Sequence, residues 1–356
     1  MHKPLRLALF LLALLGLLLG LLSGLARLGV EMPAFAARQL GHHGVFMISG
    51  MFGTLISLER AVAMAKPWPW LAPGCAGIAS LLLLTDAGTA AAQWLYCAAA
   101  LILSLASLKL WRQQPVLHLA VLALGAGMWL FANLIWATTG STAAAVPAWQ
   151  AFLVLTIAGE RLELSRFLPT PASARRVFAV LAAALACAAV LAPLSMWLAH
   201  VLAAISLIGL SIWLLRHDIV RRTLRQQGLP RYIAVCLGSG YLWLLVSAAL
   251  MLGMALAGRA DLRDAMLHTL LLGFVVSMVF GHAPIILPAV ARLRLDYHPV
   301  LYLPLALLHA SLLVRLVAAL IDDLALRQNA AIANVLSLLL FAGLVFSLVL
   351  RARVPR

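Results

Sequence analysis

Apolar runs of about 20 residues recur along the whole chain, each long enough to cross a bilayer as a helix. The runs are rich in Leu and Ala and do not alternate with polar residues, which excludes membrane strands. Twelve spans are predicted: Leu5–Leu25, Gly41–Ala63, Leu71–Thr85, Ala90–Leu110, Val116–Ala137, Ala144–Leu162, Val177–Leu194, Met196–Leu215, Tyr232–Ala257, Leu262–Val290, Pro299–Ile321 and Ala330–Leu350. Polar turns separate them. KPWPWLAPG turns the chain into the third span, with Trp68 and Trp70 placed as interfacial anchors, and Asp86 ends that span. The other tryptophans and the tyrosines read mostly as anchors too. A polar link with Pro169 and Pro171 follows the sixth span and divides the single membrane domain, 1–356, into halves 1–168 and 169–356.

Composition agrees with this pattern. Hydrophobic residues make up 65% of the 356, charged residues only 10%, and mean hydropathy is +1.05; a soluble domain does not reach such values. The fold class is therefore all-α, a polytopic integral membrane protein in contact with the lipid bilayer. The net charge of +15 reads as topology and not as a nucleic-acid surface. With the N-terminus inside, 20 of the 26 Lys and Arg residues, including Arg166, Arg292, Arg353 and Arg356, fall on the inner side. Five fall outside and Arg315 lies within a span. That bias is the positive-inside pattern, and it places both termini in the cytoplasm of a bacterial-type inner membrane. The opening MHKPLR and its Leu-rich run form an uncleaved first helix, because no small-x-small cleavage site follows. Cys75, Cys97, Cys187 and Cys236 lie singly in apolar runs and read as small core residues.

Candidate chemistry rests on histidine. In GHHGVFMISGMFG, His42 and His43 open the second span, and His43, Met47, Gly50 and Thr54 recur at helical spacing on one face. Little bulk lies below His43, so a flat macrocycle or a closely packed helix can occupy that face. By depth, His200 and His268 lie near the same outer end and His309 one layer below. Imidazole is a common ligand for haem iron and copper. A six-coordinate haem needs one histidine from each of two helices, and His43 with His268 fits; His42 is the alternative to His43. Copper needs two or three converging nitrogens, for which His309 with His42 or His200 is conceivable. Arg315 requires an anion, either a cofactor carboxylate such as a haem propionate or Asp322 or Asp323. His282, near Pro284 and Pro288, can satisfy a carbonyl that a proline frees. Glu59-Arg60 and Glu160-Arg161 read as ion pairs at the inner ends. His2, His217 and His298 read as solvated.

With a HG-x-x-M string at the outer start of the second helix (His43, Gly44, Met47), the twelve-helix chain resembles subunit I of the haem-copper oxidases. The string MLHTLLLGFVVSMVFGHAP, which contains His268, is similar to the C-terminal part of NnrS-type membrane proteins. The resemblance implies a haem-copper-oxidase-like bundle holding haem b, with copper as a further metal, in electron transfer or the nitric oxide response. A respiratory or electron-donor protein would be its partner. Spans six and seven carry no histidine, which implies a relative without a complete binuclear oxidase centre. The competing readings are a cofactor-free transporter, whose histidines and Arg315 bind an anion or relay protons, and an assembly factor for a respiratory complex.

Overall fold

The structure is a computed structural model that describes residues 3–85, 88–165, 168, 170–291 and 294–352. His2, Asp86, Arg166, Pro169, Arg292, Arg353 and Arg356, which entered the expectations above, lie outside the described residues. The fold is all-helical, with no strand among the described residues. Eleven helices among them are long and apolar enough to cross a membrane. They are α1 (Pro4–Arg27), α2 (Leu40–Met64), α4 (Thr89–Gln113), α5 (Leu117–Thr139), α6 (Thr142–Ser165), α7 (Ala172–Leu191), α8 (Met196–His217), α9 (Leu229–Ala257), α10 (Ala260–Pro288), α11 (Pro299–Leu320) and α12 (Leu324–Arg351). The expected third span is α3 (Leu71–Leu82), of 12 residues. At 1.5 Å per residue it extends about 18 Å, short of a hydrocarbon core of about 30 Å.

The chain divides into two compact units, Met1–Thr156 and Ile157–Arg356. The division falls inside α6, upstream of the proline link expected to mark it. A continuous helix thus carries the chain from one unit to the next.

Two helices depart from α geometry at their centres. In α2 the backbone widens to a π-helix over Phe46–Gly53, and in α10 over Thr269–Val276. Eight-residue π segments are rare, and shorter ones cluster at functional sites. Each has a tryptophan packed on one of its glycines. Trp129 of α5 lies where a side chain on Gly53 would sit, and Trp243 of α9 lies where one on Gly273 would sit.

The anchor reading of the aromatics needs correction. Trp70, Trp129, Trp136, Trp149, Trp213 and Trp243 are buried, and Tyr96, Tyr232 and Tyr241 are fully so. Several of their polar ends are satisfied inside, as where Trp213 Nε1 donates to the Ala174 carbonyl, while the Tyr232 hydroxyl is buried without a hydrogen-bond partner among the described residues; Arg6 sits over the Trp70 ring. A buried indole N–H or phenol O–H usually finds a partner, and neighbouring segments supply it to Trp129, Trp149, Trp213, Trp243, Tyr96 and Tyr241. Leucines such as Leu7, Leu11 and Leu18 of α1 stay exposed, as expected of a lipid-facing surface.

Candidate functional site

In the first unit the site is built by α1 against α2. Helix α1 carries Gly16, Gly20 and Gly24 at steps of four, a small-xxx-small stripe of the kind that lets membrane helices approach closely. A Cβ on Gly16 would lie 2.8 Å from the Gly50 carbonyl carbon, one on Gly20 2.6 Å from Met47 Sδ, and one on Gly24 2.6 Å from His43 Nδ1. His43, Met47 and Gly50 therefore do share a face, and a helix occupies it. The close approach brings the Gly20 carbonyl to the imidazole, and His43 Nδ1–H donates to it at 2.7 Å. A carbonyl can only accept, so the neutral ring carries its proton on Nδ1 and its lone pair on Nε2. His42 donates Nδ1–H to Gln39 Oε1 at 2.8 Å and lies edge-on to Phe46 and Trp136.

Beneath the histidines, a polar network grips the π segment. Trp129 Nε1 donates to Ser49 Oγ, which donates to Asn133 Oδ1; Trp149 Nε1 donates to the same oxygen. Asn133 Nδ2 reaches the Tyr96 carbonyl, and the Tyr96 hydroxyl bonds Ser80. Ser49 and Asn133 are fully buried. Satisfied networks of this kind make a core rigid.

In the second unit, α10 carries the chemistry at both ends. Near its start, Arg315 of α11 grips Asp264 in a two-pronged pair, Nε to Oδ2 and Nη2 to Oδ1, both at 3.0 Å. Arg315 is 5% exposed. Its counter-ion is thus Asp264, 51 residues away in sequence, and neither Asp322 nor Asp323 as expected. Asp322 pairs with Arg327, and Asp323 caps α12 through the Leu326 N–H. A propionate is not needed to neutralise Arg315. Within one turn of the same helix, His268 donates Nδ1–H to the Asp264 carbonyl at 2.8 Å, with the carboxylate 3.2 Å away. In its neutral form His268 therefore also places its lone pair on Nε2.

His309 is arranged the other way. Trp243 Nε1–H donates to His309 Nδ1 at 3.0 Å, so the neutral ring carries its proton on Nε2, and that atom is buried without a partner. In this arrangement His309 is a hydrogen-bond donor and not a metal ligand, contrary to the expectation for it. His200 lies within electrostatic reach of the Arg263 cation, a poor neighbour for a metal. Among the described residues, no three His, Cys, Asp or Glu side chains converge to hold a metal ion, so the copper expectation gains no support.

At the other end of α10, four side chains from four segments close a buried network. Arg161 of α6 donates from Nε to Asp218 Oδ2 at 2.9 Å and from Nη2 to Oδ1 at 3.3 Å. The Tyr241 hydroxyl of α9 donates to the same Oδ2, and the Val220 N–H to Oδ1. His282 donates Nδ1–H to the Met278 carbonyl, so its Nε2 accepts from Arg161 Nη1 at 2.8 Å. The carbonyls freed by Pro284 and Pro288 belong to Phe280 and Pro284; His282 bonds neither. Asp264, Asp218, Tyr241 and Asn133 are the site residues that sequence reasoning missed. Only the glycine stripe in α1 left a readable signal.

These features define an all-helical, polytopic membrane protein with histidines held beside π-helical segments and arginine–aspartate ion pairs near the helix ends. Residues 6–350 match the profile of a protein family described as a domain of unknown function, DUF8744, and the chain belongs to that family. Comparison with curated proteins and with solved structures gives no match.

A haem ligand histidine needs an unprotonated Nε2 and a fixed ring, and a backbone carbonyl or carboxylate at Nδ1 supplies both. His43 and His268 have that Nδ1 arrangement, and in their neutral forms the lone pair falls on Nε2. His42 meets it less well, because its Nδ1 partner is the Gln39 side-chain amide and not a backbone carbonyl or carboxylate.

Proposed function

We propose that this is a haem-binding membrane protein of the haem-copper-oxidase and NnrS type, in which His43 and His268 would each hold haem iron through Nε2. The observation that supports the reading is the shared arrangement of the two rings. Each donates Nδ1–H to a backbone carbonyl, and each stands within three residues of a π segment. Haem b, when bound, supplies a one-electron couple, suited to electron transfer or a nitric oxide response. The chain's own residues hold the rings. Gly20 and Gly24 of α1 fix the His43 plane, and the Asp264–Arg315 pair fixes the segment that orients His268. On this reading α3 completes a twelve-helix bundle in a bacterial cytoplasmic membrane, with both termini cytoplasmic and a respiratory or electron-donor protein as partner.

Haem content per chain tests the ligand assignment. His43→Ala and His268→Ala are each expected to lower it sharply in folded, monodisperse protein, while His309→Ala leaves it at the wild-type level. Equal haem in all four proteins would refute the assignment.

A second reading is favoured by one observation. The Arg161–Asp218–Tyr241–His282 network places ionisable groups inside the membrane domain, where they commonly mark substrate or proton paths. A cofactor-free transporter of an anion or proton-coupled substrate would use it. Such a protein is colourless and responds to an anion or proton gradient when reconstituted.

A further inference from the structure

A separate feature of the second unit lies away from every histidine discussed above. Where α9 begins and α11 begins, an open recess of about 370 Å³ is lined by Gln227, Arg231, Val235, Tyr297, Pro299 and Tyr302. The volume falls in the range of small-molecule sites, larger than a bare tetrahedral anion needs.

Its chemistry is one-sided. The side chains facing it offer a guanidinium, two phenol O–H groups and a carboxamide, and among the described residues no carboxylate lines it. Among the described residues Arg231 has no salt-bridge partner, whereas nearby Arg294 is paired with Asp296 at 3.5 Å. The surrounding loop deepens the imbalance. Between residues 216 and 231 the sequence RHDIVRRTLRQQGLPR holds five arginines and one carboxylate, Asp218. That carboxylate is consumed by Arg161, away from the recess. Val235 and Pro299 supply the apolar part of the wall.

The two phenols are held in place. Tyr232 is fully buried. Its ring meets Tyr302 edge-on at 5.2 Å and lies 5.9 Å from Tyr297, so the two lining phenols lean on a fixed base. The Tyr297 phenol is pushed up from its ordinary pKa, first by burial, with the Tyr302 phenol adding and Arg231 opposing. It is therefore a protonated donor at neutral pH.

A donor-rich, cationic recess with packed phenols and an apolar wall at the end of membrane helices is complementary to a phosphate group carried on an organic moiety. We propose that this recess binds a phosphate-bearing anion, with Arg231 as the charge partner and the Tyr297 and Tyr302 hydroxyls as directional donors. The source is an anionic phospholipid headgroup or a soluble phosphate ester. The proposal does not rest on the haem reading.

Native mass spectrometry of the full-length protein in detergent tests it, with phosphatidylglycerol, phosphatidylcholine and glycerol 3-phosphate as probes. One phosphatidylglycerol per chain is expected to survive collisional activation, with phosphatidylcholine weaker. Arg231→Gln should weaken binding at least about tenfold, the scale of one lost charge-assisted contact. The Tyr297→Phe, Tyr302→Phe double variant, which keeps the ring packing, should weaken it similarly. Arg225→Gln, in the same loop but outside the recess, should change it less than about twofold. Competition by glycerol 3-phosphate indicates headgroup recognition. Binding of glycerol 3-phosphate without phosphatidylglycerol assigns the soluble source. Unchanged binding in both Arg231→Gln and the double tyrosine variant, or an Arg225→Gln loss as large as that of Arg231→Gln, would overturn the proposal.

Discussion

Asp218→Ala is expected to destabilise the second unit by roughly 3–5 kcal/mol, the cost of leaving one member of a buried ion pair without its partner. The Arg161 side chain is 3% exposed and that of Asp218 2%, so water cannot replace the lost carboxylate. The loss also strips the Tyr241 hydroxyl and the Val220 N–H of their acceptor. Tyr241→Phe removes one donor and leaves the ion pair intact, so its cost is smaller, about 1.5–3 kcal/mol for a hydrogen bond to a charged group. Arg161→Met combined with Asp218→Leu should be less harmful than either charge deletion alone, because no unpaired charge remains. Denaturant unfolding of the detergent-solubilised protein measures all three beside wild type and the single charge deletions. Wild-type stability in Asp218→Ala would show that the network does not hold the unit together.

The second large effect is expected from Gly16→Leu. Most crowded glycines in a core face a side chain that can shift. Gly16 faces backbone, with the Gly50 carbonyl carbon and the Met51 nitrogen within 3.0 Å of an added Cβ. Helix α1 must therefore move off α2, and overpacking of this kind costs about 1–3 kcal/mol or more. The movement also withdraws the Gly20 carbonyl from His43 Nδ1, so the variant should lose haem together with stability. Gly127→Ala is the control. Nothing lies within 4 Å of its added Cβ, and a helix-interior glycine replaced without strain gains about 0.4–1 kcal/mol. Thermal unfolding read beside haem content separates the two. A Gly16→Leu protein as stable as wild type would mean that the close approach of α1 is not required.

Much of the architecture was legible because span length and apolar composition are imposed by the bilayer itself. The face shared by His43, Met47 and Gly50 was legible too, since their spacing survives a π segment over one or two turns. The occupant of that face was readable but missed: three glycines at steps of four in α1 say that a helix comes close. The π segments were not readable, because no local preference of FMISGMFG or TLLLGFVV distinguishes them from α-helix. The counter-ions were hidden for a different reason. Asp264 meets Arg315 across 51 residues, and Asp218 meets Arg161 across 57. In the sequence Asp218 looks like one more loop charge among arginines. The tryptophans misled because the same amphipathic ring suits an interface or a buried site with an acceptor, and only the partners Ser49, Asn133 and His309 decide between them.

Haem binding is the central claim, and the visible spectrum of the purified protein tests it most directly. The protein is expressed with ample haem supply, solubilised in detergent, and recorded oxidised and then reduced with dithionite. The account predicts sharp reduced bands of a haem b protein. A colourless protein that is helical and monodisperse would contradict it and leave the transporter reading in its place.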